Sequence, residues 1–191
     1  NLKCIGILIL SDVIRQDAKT TLDYFKRQDV DIKIISGDDP VTVSAIARRC
    51  HLLNYEHYID VSSLSDEQIK EAIEKYTIFG RVSPKQKQLM VNALQENNHT
   101  VAMTGDGVND VLALKAADCS IAMASGSDAA KSASHIVLLK NNFNAMPHIV
   151  NEGRRVINNI TASASMYLIK TIFSVVLSIG MILFGHGYPF K

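Results

Sequence analysis

Short apolar runs alternate with helix-patterned segments from residue 4 to residue 139, and this alternation constrains the fold more than any other feature. Residues 4–10 form a continuous apolar run closed by Ser11-Asp12, the pattern of a buried strand. Residues 17–28 carry helical spacing through Ala18, Leu22 and Phe25. Residues 30–35 predict a second strand, ending in Ser36-Gly37-Asp38-Asp39-Pro40. Residues 40–50 then predict a helix with Asp39 as cap and Pro40 at its first position. Residues 60–63 read as loop, and Ser65 with Gln68 three residues on opens a helix over 65–75 by a capping box. The series continues with strands over 77–82, 100–104, 119–123 and 135–139, and helices over 84–97, 109–117 and 128–134. Such a series predicts an α/β fold with a parallel sheet covered on both faces. In that architecture a site lies outside the carboxyl ends of the strands, so the loops after Ile35 and Met103 are the places to look for chemistry.

The chain changes character from about residue 145. No turn signal interrupts residues 151–184 apart from Gly153 and Gly180, and residues 166–184 are almost wholly apolar, with Lys170 their single charge. That length is close to the ~20 residues a helix needs to span a bilayer. Arg154 and Arg155 on its amino-terminal side place that side in the cytosol. Lys170 sits near the same end, where its stem can carry the charge to the interface. Three domain-level segments follow: residues 1–147, a polar helical stretch over 148–165, and a spanning helix over 166–184.

Composition excludes some functions. The 191 residues carry a formal net charge of +1, which gives no support for nucleic-acid binding. Cys4, Cys50 and Cys119 are odd in number, far apart and without a CxxC pair, so they predict reduced thiols, neither a disulfide framework nor a zinc site.

The most informative string is Thr104-Gly105-Asp106-Gly107-Val108-Asn109-Asp110, followed by Ala113-Leu114-Lys115 and Ala117-Asp118. It sets two carboxylates four residues apart where a strand opens into a helix. Glycines flank the first carboxylate, so the backbone can turn sharply and a phosphoryl group can approach. Hard oxygen ligands of this kind suit Mg²⁺, which keeps waters and shares phosphate oxygens.

This string resembles the hinge motif of P-type ATPases, within the haloacid dehalogenase superfamily. Other segments follow in family order. Ser36-Gly37-Asp38 resembles the T-G-D motif with Ser for Thr, which retains a hydroxyl. Arg81-Val82-Ser83-Pro84-Lys85-Gln86-Lys87 resembles R-V-x-P-x-x-K, a register that makes Lys87 the family lysine. Asp12 and Arg15 resemble an early D-x-x-R, and Arg154-Arg155-Val156-Ile157-Asn158-Asn159-Ile160 resembles the start of the family's stalk and fifth membrane helix.

The resemblance implies a Rossmann-like phosphorylation domain over residues 1–147, with the first strand of the family fold missing, then a stalk helix and a transmembrane helix. It implies that Asp106 holds Mg²⁺ against a phosphoryl group, with Asp110 as a second acid or as support. Lys87 would neutralise the phosphoryl oxygens, and Ser36, Gly37 and Asn109 would donate hydrogen bonds to them. Asp38 and Arg81 would face the nucleotide. ATP is the implied substrate, a cation the implied cargo, and an integral membrane protein of a bacterial plasma membrane, with residues 1–165 cytosolic, the implied setting.

Ser125-Gly126-Ser127-Asp128 and the I-N-N-I…K-T segment resemble bacterial ATPase E-like pumps, which favours calcium as the cargo. A heavy-metal pump fits less well, because residues 166–184 lack the paired cysteines that soft metals prefer. Residues 166–184 hold no Asp or Glu, only Tyr167, Thr171, Ser174 and Ser178 as oxygen ligands. The family's D-K-T-G-T, whose aspartate is the nucleophile, does not occur in these residues, nor do the nucleotide-binding and actuator domains. The chain is therefore expected to be a piece of a pump, inactive by itself. The alternatives are a soluble phosphatase of the same superfamily and a non-catalytic, membrane-anchored regulatory module.

Overall fold

The computed structural model describes residues 16–140 and 142–184. The strand expected over 4–10, Cys4, Asp12 and Arg15 lie outside the described residues. The chain divides into two compact units, 1–145 and 146–191.

The first unit alternates as the apolar runs predict: α1 (Gln16–Arg27), β1 (Ile34–Ile35), α2 (Pro40–Arg49), β2 (Tyr58–Asp60), α3 (Asp66–Lys75), β3 (Ile78–Gly80), α4 (Pro84–Glu96), β4 (Ala102–Gly105), a 3₁₀ turn (Val108–Asp110), α5 (Val111–Ala116), β5 (Cys119–Met123), α6 (Asp128–Ala133) and β6 (Ile136–Leu138). All strand pairs are parallel. Among the described residues they form two three-stranded sheets, ordered β1-β3-β2 and β4-β5-β6.

Helix starts follow local chemistry. The Asp39 carboxylate accepts from the Val41 amide at 3.0 Å, and Pro40, which has no amide to leave unpaired, takes the first position of α2. Ser65 and Gln68 form the expected capping box on α3, and Ser83 and Gln86 form a second on α4.

Strand β3 is the centre of its sheet and buried throughout. Successive strand side chains point to opposite faces. Phe79 accordingly packs with Ile69 and Ile73 of α3 and Met90 of α4, while Ile78 packs with Val43 and Ala47 of α2. The sheet is thus covered on both faces. A Cβ on Gly80 would lie 2.5 Å from the Pro40 ring, so the bare Gly80 lets the start of α2 rest on the strand end. In the other half, Val91 of α4 packs with Ala113 of α5 and with Ala117.

Two local expectations differ. Residues 61–63 are loop as expected, but Asp60 ends a strand that was not expected, β2 (Tyr58–Asp60), paired with all three residues of β3. Only Ile59 and Val61 mark its inward side, too short a pattern to distinguish from a loop. The strand expected over 30–35 contracts to Ile34–Ile35, because β3 offers it only Ile78 and Phe79 as register partners.

The second unit is one long helix, α7 (Ala145–Phe184, 40 residues), whose first residue closes the preceding unit. It begins three residues before the polar helical stretch expected from 148, and Pro147 is accommodated within its first turn. It is long and apolar enough to cross a membrane, with a mean hydropathy of 2.0 over its most apolar 18 residues, which are unburied. Residues 166–184 extend roughly 30 Å at 1.5 Å per residue, about the thickness of a hydrocarbon core. Thr171, Ser174 and Ser178 donate to the carbonyls of Tyr167, Lys170 and Ser174 at 2.9, 3.0 and 2.8 Å, so these hydroxyls are satisfied within the helix itself.

Truncating the fully buried Phe79 to Ala is expected to cost about 3–5 kcal/mol, whereas Ser83→Ala, which removes one cap, costs about 1 kcal/mol. Urea denaturation followed on the α/β unit checks this ordering, and equal costs would contradict the central place given to β3.

Candidate functional site

The carboxyl end of β4 runs through Gly105-Asp106-Gly107 into the 3₁₀ turn and α5. Asp110 is buried at the base of this turn, and both of its carboxylate oxygens are engaged. Oδ1 accepts from Lys87 Nζ at 2.7 Å, and Oδ2 accepts from the Gly107 amide at 3.1 Å. The two side chains are 12% and 11% exposed, so this is a desolvated ion pair in which each charge needs the other. A Cβ on Gly105 would come within 2.6 Å of Asp110 Cβ and 2.9 Å of its carboxylate. Only glycine fits there without moving the acid. Asp106 and Asn109 stand exposed above this base.

Lys87 is brought to Asp110 by α4, and the start of α4 is bound to the loop after β1. The Val82 amide donates to the Ser36 carbonyl at 2.9 Å, and the Arg81 amide donates to the Asp38 carbonyl at 2.8 Å. Within that loop the Ser36 hydroxyl accepts from the Asp38 amide at 3.1 Å and donates to Asp38 Oδ2 at 3.2 Å. A hydrogen-bonded path therefore runs from Ser36-Gly37-Asp38 through Arg81-Val82 to α4, Lys87, Asp110 and the 105–107 turn. The segments that sequence reasoning singled out are physically connected in this order.

Arg81 does more than precede that helix. Its backbone is in the left-handed region, at φ 55°. Its guanidinium pairs with Asp39 at 3.0 Å and with Asp60 at 3.4 Å. It thus clasps the residues that follow or end β1, β2 and β3. The Arg81 side-chain hydrogen bond is the main cause holding the Asp39 carboxyl below its ordinary value of 3.8. The Asp60 carboxyl is also lowered, chiefly by the Ser62 hydroxyl, which donates to it at 2.6 Å.

Mg²⁺ binds hard oxygens, keeps several waters and usually takes one or two carboxylates together with substrate phosphate. Among the described residues no group of three or more His, Cys, Asp or Glu gathers into a protein-built cage. The donor set fits a shared ion: the exposed Asp106 carboxylate can take a ligand position, while Asp110 is committed to Lys87 and the Gly107 amide. Asp110, expected as a second acid or as support, makes its contacts to Lys87 and the Gly107 amide.

Sequence reasoning did not single out Asp39 and Asp60 as partners of Arg81, nor Ser127, whose amide donates to the Asp106 carbonyl at 2.8 Å. The Asp39 cap was legible, but its second carboxylate oxygen turning to Arg81 depends on β1 and β3 being neighbours.

Residues 2–118 match the haloacid dehalogenase-like hydrolase family. A probable cation-transporting ATPase, exp7, of Streptococcus pneumoniae is 49% identical over 94% of this chain. The calcium-transporting ATPase CtpE of Mycobacterium tuberculosis is 49% identical over 92% of it. The chain spans only 23% and 22% of those two proteins. A zinc-transporting PIB-type ATPase, solved in its E2.Pi state, superposes with a TM-score of 0.71 at 28% identity, over 89% of this chain and 24% of that one.

Removing Lys87 leaves Asp110 buried without its cation, so Lys87→Met is expected to destabilise the α/β unit by about 3–5 kcal/mol. Lys87→Met combined with Asp110→Leu is expected to recover most of that loss. Thermal or urea unfolding of the two variants checks it, and a double variant no more stable than the single one would contradict the pairing.

Proposed function

We propose, for a chain that belongs to the haloacid dehalogenase-like hydrolase family, the role of phosphorylation domain and following membrane helix in a P-type cation pump. The observation that carries this reading is the Lys87–Asp110 pair, set beneath the exposed Asp106 and tied through α4 to the Ser36-Gly37-Asp38 loop. A site that only bound a surface ion would not need a buried lysine held by a buried acid.

In this reading a phosphoryl group passes from ATP to a nucleophilic aspartate contributed by another part of the parent protein, and water later removes it. Asp106 would hold Mg²⁺, which would supply positive charge to the phosphoryl oxygens. Lys87 supplies a second positive charge to the same oxygens, and Asp110 fixes its position. The Ser36 hydroxyl, the Gly37 amide and the Asn109 side chain donate hydrogen bonds. Lys87 is held by Asp110 before any reaction, so its charge is available as charge develops on the phosphoryl group. Asp38 and Arg81 lie on the nucleotide side, Arg81 also clasping the strand ends through Asp39 and Asp60. By this reading residues 1–147 form the phosphorylation domain, 148–165 the stalk and 166–184 the membrane span. This chain alone, without the nucleophile, does not turn over ATP.

Helix α7 is the element that supports a membrane setting, with residues 1–165 on the cytosolic side of a bacterial plasma membrane. Calcium is the favoured cargo, supported by the naming of the CtpE relatives and by the 125–128 and 157–160 segments.

ATP-dependent uptake of radioactive calcium by inverted membrane vesicles carrying the whole gene product tests this. Asp106→Asn is expected to lower uptake by about 100-fold or more, the scale seen when a preorganised transition-state group is lost. Uptake unchanged by Asp106→Asn would overturn the reading. Asp106-dependent uptake of a different cation would keep the pump and remove calcium.

A further inference from the structure

Asp106 sits between two glycines, so its own segment does little to fix where its carboxylate points. Something outside the segment has to hold it, and the turn after β5 does so. Its start is anchored: the Ala124 amide donates to the Leu138 carbonyl at 3.1 Å, and the Gly126 amide donates to the Met123 carbonyl at 2.9 Å. Its end is anchored in α6, where the Ser127 hydroxyl caps the helix by accepting from the Ala130 amide at 3.1 Å. Between these anchors the Ser127 amide donates to the Asp106 carbonyl at 2.8 Å.

Gly126 lies flat against the same residue. A Cβ there would meet Asp106 O at 2.8 Å, Asp106 Cα at 3.0 Å and Met123 O at 3.0 Å. All three are backbone atoms, so no flexible side chain can yield to make room. The contact requires glycine for space alone.

We infer that Gly126 and Ser127 are positioning residues for Asp106: a strap from the neighbouring strand that sets the metal-facing carboxylate through its backbone. The inference rests on the reading of Asp106 as the magnesium ligand. Both residues act on Asp106 through its backbone atoms.

Three variants of the full chain in detergent separate the strap from the cap. Gly126→Ala pushes on Asp106. Ser127→Pro deletes the amide donor at a residue whose φ of −62° proline already favours, and it also loses the cap. Ser127→Ala loses the cap but keeps the amide. Hydrogen exchange of the metal-free protein is the first readout. Gly126→Ala and Ser127→Pro are expected to speed exchange across residues 104–110 by about tenfold, with residues 84–96 at the wild-type rate and Ser127→Ala close to wild type. Mn²⁺ binding, read by electron paramagnetic resonance, is the second, with an expected loss of about fivefold or more for the first two variants and less than twofold for Ser127→Ala.

Wild-type exchange over 104–110 in both Gly126→Ala and Ser127→Pro overturns the strap, as does a Ser127→Ala effect as large as that of Ser127→Pro. If one variant does not fold, the remaining comparison with Ser127→Ala decides. If the wild-type chain binds no Mn²⁺, the reading of Asp106 as a metal ligand falls, while the exchange data still decide whether the strap exists.

Discussion

The buried pairing of Lys87 with Asp110 is the constraint around which the site is arranged. A lysine and an aspartate removed from water are stable only together and in good geometry. Each therefore dictates the position of the element that carries it. Helix α4 must enter at the angle that delivers Lys87, so its first turn is fixed by the Ser83–Gln86 capping box, and Arg81 and Val82 just before it are bonded to the loop after β1. The turn after β4 must present Asp110 from below, so Gly105 has no side chain and the Gly107 amide closes on the same carboxylate. Placing a cation and a set of hydrogen-bond donors in advance is the arrangement that phosphoryl transfer rewards, because the protein's contribution to that reaction is almost entirely positioning and electrostatics.

Parallel topology brings these parts to one edge of each sheet. Strands that all run the same way put their carboxyl ends, and the loops that follow, on one side. Ser36-Gly37-Asp38 follows β1, Arg81 follows β3, and Asp106 follows β4. Arg81 shows the cost of serving two neighbours: its backbone adopts a left-handed conformation while its amide reaches Asp38 and its guanidinium reaches Asp39 and Asp60. Helix α7 meets a different constraint. Its hydroxyls bond within the helix, and most of its apolar side chains between Met166 and Leu183 are exposed.

Features written locally were legible in the sequence. The Ser65 capping box and Pro40 and Pro84 at helix starts depend on residues a few positions apart, and the structure places them as their chemistry predicts. Features that depend on which strands are neighbours were not. Strand β2 has too few apolar residues to announce itself, and it exists because β3 offers it a complete register. The Arg81 clasp needs β1, β2 and β3 side by side. The approach of Gly126 to Asp106 needs β4 beside β5, and from sequence Gly126 was only part of a resembling string. Asp110 could be read as a metal ligand from its spacing to Asp106. Its partner Lys87 lies 23 residues away, and their pairing is a property of the packed α4 and α5.

On the proposed reading this site serves an aspartyl-phosphate cycle, and the phosphoenzyme itself is the direct measurement. The whole gene product is incubated briefly with γ-³²P-labelled ATP and quenched in acid. A Mg²⁺-dependent, acid-stable and hydroxylamine-labile phosphoprotein is expected, lost in the combined Lys87→Met and Asp110→Leu variant, which keeps most of the wild-type stability. A wild-type protein that hydrolyses ATP without ever carrying such a label, or a double variant labelled as fast as wild type, would contradict the aspartyl-phosphate cycle.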